Sequence, residues 1–446
     1  MLGGNLPVNL LRFAVPLMLS SIMQLLFNAI DMIVVGRFSG STSMAAVSST
    51  GSLISLVTNL FIGLSVGASV AIARRIGHRD YDAISAAVHT SISLALVSGL
   101  LLSVTGIIFA RNFLQLMKSP ADVIDLSTLY LRFYFTGMCA TMIYNFTSAI
   151  LRARGDTRRP LIALTAAGIL NASLNLLFVT QFHMDVAGVG LASSLSSYVS
   201  AFIVLMVLIK DEGPCHLDLK HLYIDKSALK EIAAVGVPAG IQSTVFNLSN
   251  VAIQSSVNEF GAITMAGNGA ASSIGDFVYN IMAAFNQTCM TFTSQNVGAG
   301  QYKQVLKIFV TCELLVFLFG FGSGTAVWIF GDPLLKIYAS DPAVINAGMI
   351  RLGIVCRYYF LCGIMDVLVG SLRGMGASIT PMIVSLLGAC AFRLLWIATY
   401  FQSHHTIEAL YVSYPYSWLL TSSVHLLLFV FFYHRLLSKK QETDIV

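Results

Sequence analysis

The chain has 446 residues, of which 56% are hydrophobic and only 11% charged, with a mean hydropathy of +0.78. Soluble domains carry about 25% charged residues, so a water-soluble enzyme or a nucleic-acid-binding protein is excluded, and the formal net charge of +5 must be read as a membrane signature. Of the seven cysteines only Cys215 lies in a polar stretch, and no CxxC pair occurs, so neither a disulfide framework nor a zinc site is expected.

Apolar runs of the length needed to cross a bilayer, about 20 residues, recur along the chain. They predict twelve spans at roughly 10–36, 46–73, 84–110, 122–149, 160–180, 187–209, 231–258, 264–293, 305–330, 343–371, 379–401 and 409–433. The first lacks a small-residue cleavage site and is expected to be retained. The one long polar connection, 210–230, contains the Gly213-Pro214 breaker and is read as a linker between an amino-terminal lobe (1–209) and a carboxy-terminal lobe (231–446).

The two lobes repeat one another. Leu151-Arg152-Ala153-Arg154-Gly155, followed by Pro160, returns as Leu372-Arg373-Gly374-Met375-Gly376, followed by Pro381, a lag of 221 residues. The same lag pairs Asn59 with Asn280, Gly77 with Gly298, Tyr81 with Tyr302 and Leu131 with Leu352, while Pro16 and Pro238 slip by one. Homologous halves in a membrane are a common build of secondary transporters, with the site near their interface.

Charge sets the orientation. With the N-terminus inside, the inner segments hold Arg12, Arg74, Arg75, Arg79, Arg152, Arg154, Arg158, Arg159, Lys210, Lys220, Lys226, Lys230, Lys303, Lys307, Arg373, Arg435, Lys439 and Lys440. The outer ones hold Arg37, Arg111, Lys118 and Lys336. Both termini and the linker are therefore expected in the cytoplasm of a cell (inner or plasma) membrane protein. Six spans per half make the halves parallel repeats.

Asp31 is the sharpest single position. An acid at the centre of a span costs about 2.5–3.5 kcal/mol on insertion scales, and Gln24 and Asn28 share its helical face. Asn171 and Asn175 form an i,i+4 pair on span 5, and Ser193 sits on span 6 after a run of small residues. The second lobe places Asp276, Glu313 and Asp366 within spans, together with Arg357 and Arg393. An Asp366–Arg393 ion pair and a polar ligand site built from Asp276, Asp366 and Arg393 are both open readings. Arg152 and Arg373, each before a glycine turn, are read as anchors for carbonyls at helix ends. No phosphate loop is present, so ATP is not the expected energy source, and no catalytic constellation or cofactor is expected.

Ala14-Val15-Pro16-Leu17, then Gln24, Asn28, Asp31 and Val35-Gly36-Arg37, then Gln295-Asn296-Val297-Gly298-Ala299-Gly300, and the two LR turns, resemble the multidrug and toxic compound extrusion (MATE) family from end to end. The tone is closest to the branch common in Firmicutes. The resemblance implies an all-α fold, twelve helices in two parallel six-helix bundles forming a V around a cavity. It implies antiport of organic, cationic or amphipathic drugs and toxins against H⁺ or Na⁺, by a monomer whose partners are small molecules and lipid. It makes Pro16 a hinge and Asp31 the coupling acid, joined by Asn171, Asn175 and Ser193. The position of Asn175 is usually an Asp in relatives. A lipid or polysaccharide-precursor flippase of the same superfamily is the alternative within transport, and an intramembrane hydrolase a more distant one.

Overall fold

The computed structural model describes residues 2–117 and 119–443. Lys118, counted above on the outer side, lies outside the described residues, as do the side chains of Lys439 and Lys440. All twelve expected spans are helical passes, and each runs beyond its apolar core. The helices are α1 (Leu6–Phe38), α2 (Ser41–His78), α3 (Tyr81–Leu116), α4 (Ile124–Thr136), α5 (Met138–Arg154), α6 (Arg158–Leu176), α7 (Asp185–Ile209), α8 (Lys226–Asn258), α9 (Ala262–Gly298), α10 (Tyr302–Ile329), α11 (Gly331–Leu335), α12 (Pro342–Ile354), α13 (Tyr359–Gly374), α14 (Ile379–Ser385), α15 (Phe392–Ala398), α16 (Tyr400–Ser403) and α17 (Ile407–Thr443). Ten helical passes among the described residues are long and apolar enough by themselves to cross a membrane. The fourth pass is broken at Gly137 into α4 and α5. The eighth, α9, is diluted by Asn268, Asp276, Asn280 and Gln287.

The chain divides into two compact units, residues 19–241 and residues 1–18 with 242–446. The divisions fall inside α1 and α8, just after Pro16 and Pro238. The first turns of α1 thus belong to the unit built mostly from the carboxy-terminal half, where Phe13 meets Phe292 edge to face at 5.5 Å. The first turns of α8 belong to the other.

Within residues 19–241, α8 crosses α2 through four glycines. A Cβ on Gly63 would lie 2.4 Å from the Gly240 nitrogen, and one on Gly67 2.1 Å from the Ile232 carbonyl oxygen. Without a hydrophobic driving force between helices in lipid, such backbone-to-backbone packing is a main source of association. Beside it Arg75 Nε donates to Glu231 at 3.1 Å and its terminal nitrogen to the Ala83 carbonyl at 2.7 Å. The linker packs on this unit: Cys215 and Leu217 are buried, Arg154 pairs with Asp211, and the Asp218 amide donates to His89 Nε2 at 3.2 Å.

The repeat extends to backbone conformation. Left-handed residues at Gly40 (φ 94°), Arg79 (φ 59°) and Gly155 (φ 104°) return at Gly261 (φ 87°), Gly300 (φ 68°) and Gly376 (φ 97°), each at the sequence lag. At Gly155 and Gly376 the last turn closes the same way, through Asp156 N to Leu151 O and Ala377 N to Leu372 O, both 2.9 Å. A left-handed residue after the last turn satisfies carbonyls the helix leaves open.

Candidate ion-coupling site

Helix α6 carries Gly168, Asn171 and Asn175 on one face, at i, i+3 and i+7. The glycine sets the distance to α1, since a Cβ there would fall 1.8 Å from the Phe27 ring. At that separation the Asp31 carboxyl reaches both amides: Asn171 Nδ2 donates to Asp31 Oδ1 at 2.7 Å, and Asn175 Nδ2 donates to the same oxygen. The Ser193 hydroxyl of α7 bonds the same carboxyl. Asn171 and Asn175 are buried, the latter completely, and Asp31 is half-buried. Four of the six residues expected at this site are therefore brought together. Gln24 and Asn28 are exposed on α1 and stand outside these hydrogen bonds.

Tyr130 and Tyr134 of α4, one turn apart with rings 5.7 Å between centroids, are close enough to feel the Asp31 charge. Sequence reasoning missed them, because two tyrosines at i,i+4 on an apolar helix look like ordinary core. The floor beneath them is fixed by the α4–α5 break, where a Cβ on Gly137 would meet Ser194 Cα at 2.6 Å. Ser194 Oγ donates to the Phe133 carbonyl at 2.5 Å, and Tyr198 donates to that of Thr136 at 2.9 Å. A π-helical turn, Leu177–Gln181, begins two residues after Asn175; such turns are frequent at functional sites.

With both amide nitrogens turned to Asp31, the Asn171 and Asn175 carbonyl oxygens are buried without a hydrogen-bond partner among the described residues. A buried unsatisfied acceptor costs about 1–3 kcal/mol. Here two stand beside a carboxylate and a hydroxyl, an all-oxygen donor set that suits a hard cation or a proton on Asp31.

The carboxy-terminal candidates separate. Asp276 is exposed and faces the charge of Arg351. Asp366 takes a hydrogen bond from Tyr279 and faces Arg373, while Arg373 donates to Gln242 Oε1 at 2.8 Å. The Asp366–Arg393 ion pair does not form: Arg393 Nε donates to Ser417 Oγ at 2.8 Å and its guanidinium covers the Tyr414 ring at 4.2 Å. Arg393 sits on α15 and Asp366 on α13, and the aromatic rings of α17 capture the guanidinium first. Arg373 is also no carbonyl anchor, because its bond goes to the Gln242 side chain. Glu313 on α10 has both carboxyl oxygens buried and unpartnered among the described residues.

The MatE family model matches residues 16–177 and again 238–397. The chain belongs to the MatE family. The two matched stretches open on Pro16 and Pro238, so the family's unit is the half-chain repeat. Among curated relatives, the probable multidrug resistance protein YoeA of Bacillus subtilis (strain 168) is 27% identical over 444 residues, covering 97% of this chain and 95% of that protein. The probable multidrug resistance protein YpnP of the same strain is 26% identical over 397 residues, 89% of each chain. Among solved structures, an outward-facing multidrug resistance MATE family transporter of the MOP superfamily superposes with a TM-score of 0.90 at 20% identity, covering 97% of both chains. The expected fold class is thereby established: an all-α, multi-pass membrane protein of the multidrug efflux transporter family.

Proposed function

We propose that this MATE transporter is an antiporter that exports small organic compounds, cationic or amphipathic, against inward movement of H⁺ or Na⁺ by alternating access. The observation that carries it is the Asp31 carboxyl bonded to two buried amides whose own oxygens await a donor or a cation. Loading that set with a proton or Na⁺ neutralises Asp31 and changes what α1 and α6 can bond. Pro16 lies on α1 within one turn of the place where the helix leaves one unit for the other. A proline there has no N–H to donate, so the helix lacks one backbone hydrogen bond and bends at lower cost, and it serves as the hinge. The lysine and arginine distribution supports a cytoplasmic position for both termini of a cell-membrane protein.

One charge crossing about 100 mV releases about 2.3 kcal/mol, enough for a concentration ratio well above tenfold. The test is rhodamine 6G efflux from glucose-fed cells expressing the chain, with the protonophore CCCP, which collapses the membrane potential and the proton gradient, and the Na⁺ ionophore monensin added in mid-course. Efflux should stop within the time the gradients take to collapse, with cellular ATP held constant. Efflux that continues at the same rate in the presence of both ionophores would sink the antiport reading.

A further inference from the structure

The repeat lag carries the Asp31 site onto a cluster of opposite charge. At 221 residues, Tyr130 maps to Arg351, Asn171 to Phe392, Asn175 to Trp396, Ser193 to Tyr414 and Ser196 to Ser417. Ala252 and Ile253 stand where Asp31 falls, and Arg393 follows Phe392. The equivalence is structural as well, because α14 and α17 begin at or beside the positions where the lag puts the starts of α6 and α7, and α12 begins three residues before that of α4. A π-helical turn, Leu386–Ala391, again adjoins the site.

The geometry of this second cluster lies wholly within the unit of residues 242–446. Arg351 is 7% exposed and Arg393 3%. Their guanidinium carbons lie 5.7 Å and 4.2 Å from the centroid of one ring, Tyr414. The two charges are thus no farther apart than about one Debye length, ~10 Å, and burial leaves them less screened than that. Trp418 flanks Arg393 at 5.6 Å and Tyr411 flanks Arg351 at 5.5 Å. Arg351 is aimed by Asn268, whose Oδ1 accepts from it at 2.8 Å and from Tyr411 at 2.9 Å.

Among the described residues neither arginine has a carboxylate within ion-pair distance. The acid that faces Arg351, Asp276, is exposed. Arg351 Nε is buried without a hydrogen-bond acceptor. Two buried like charges, one with an idle donor, are costly unless an anion joins them. The ring faces offset part of that cost and offer stacking area to an aromatic ligand.

We propose that Arg351, Arg393 and the rings of Tyr411, Tyr414 and Trp418 form a binding site for the anionic group of an aromatic, amphipathic molecule, its carboxylate, sulfonate or phosphate seated between the two guanidiniums. It widens the substrate class of the transport reading from cations to organic anions and zwitterions. Binding itself does not depend on that reading and is measured separately.

The test uses two xanthene dyes of opposite charge on the purified full-length chain in nanodiscs of phosphatidylcholine: fluorescein, an anion, and rhodamine 6G, a cation, read by fluorescence anisotropy. Fluorescein should bind saturably and weaken with added salt. Arg393→Gln should weaken it about tenfold, as expected when one charge-assisted hydrogen-bond partner is removed, and leave rhodamine 6G unchanged or tighter. Arg111→Gln, which removes a surface cation, should leave fluorescein alone. If Arg393→Gln does not fold, Arg393→Lys decides: it keeps the charge but not the planar fork, and its fluorescein affinity should fall by about threefold. Phosphatidylglycerol in the nanodisc that displaces fluorescein from the wild type but not from the Arg393 variant would identify a lipid headgroup as the source of the anion. Fluorescein affinity equal in wild type and in whichever Arg393 variant folds would overturn the proposal, whether or not drug efflux is ion-driven.

Discussion

The two halves of this chain place the same backbone at the same lag and fill it with opposite charge. In residues 19–241 a single carboxyl, Asp31, is gathered by two amides and a hydroxyl. At the counterpart positions in the other unit the amides are replaced by Phe392 and Trp396, and two guanidiniums sit over Tyr414. The turns that set the frame are common to both, down to left-handed residues at Gly155 and Gly376. Duplication therefore fixed where the helices run, and side-chain divergence decided what each half holds. A small acid site with open oxygens suits an ion, whereas a broad aromatic surface with two cations suits a larger molecule.

The largest expected contrast comes from equivalent positions. Arg351→Met removes one of two buried like charges and, although it takes one of two donors from Asn268 Oδ1, should raise stability by about 1 kcal/mol or more. Tyr130→Phe, at the same place in the repeat, should cost about 1 kcal/mol or less. Thermal unfolding of both variants in one detergent checks this, and a loss in both would break the comparison.

A second carboxylate should make the acid site a stronger cation site. Asn175→Asp is expected to raise Na⁺ affinity about tenfold, about 1.4 kcal/mol, seen as a melting temperature higher in NaCl than in choline chloride at equal ionic strength. A response identical to that of the wild type would place Asn175 outside the ion site. The linker belongs to the acid-bearing unit, held by the Arg154–Asp211 pair, whose carboxylate side chain is 10% exposed. Asp211→Asn weakens this charge-assisted bond, should cost about 1–3 kcal/mol and should expose the 210–225 segment to limited proteolysis with transport retained.

The smallest effect concerns Cys215, outside the membrane spans. Burial pushes its thiol up from 9.0 to about 11, with Arg154 opposing and Asp211 adding to the shift. A folded value above the unfolded one means that the neutral thiol stabilises the fold below about pH 9 and that this contribution is lost as pH rises through about 11. Alkylation of Cys215 by N-ethylmaleimide in the native protein should thus be slow at pH 7 and accelerate between pH 9 and 11. Rapid labelling at pH 7 would show that the linker opens.

Much of this was legible in the sequence, for physical reasons. A polar residue in an apolar helix must meet a partner, so Asp31, Asn171, Asn175 and Ser193 each stood out on its own helix, and it was the family resemblance that joined them. The repeat announced itself at the turns, where backbone geometry restricts residue choice. Tyr130 and Tyr134 were hidden because tyrosine is as common in a core as in a site. Arg393 stood out as a charge within a span, but its grouping with Arg351 and the aromatic rings was hidden, because these residues are not identical to their counterparts and no matching of letters at the lag could join them. Hydropathy gives the length of α1 and α8 but not their partners, and it left the divisions after Pro16 and Pro238 unseen. The four-glycine crossing of α2 and α8 needs residues far apart in the chain, and periodicity within one span does not show it.

The central claim is that Asp31 couples the ion to the drug, and ion-driven transport in proteoliposomes tests it most directly. Wild-type protein and Asp31→Asn are reconstituted at equal density, and rhodamine 6G movement is recorded after an imposed proton or Na⁺ gradient and, separately, as exchange without any gradient. Asp31→Asn should bind the dye and keep its melting temperature, yet lose gradient-driven accumulation entirely, because an amide cannot be charged and discharged by the ion. Accumulation by Asp31→Asn at the wild-type ratio under either gradient would contradict the account.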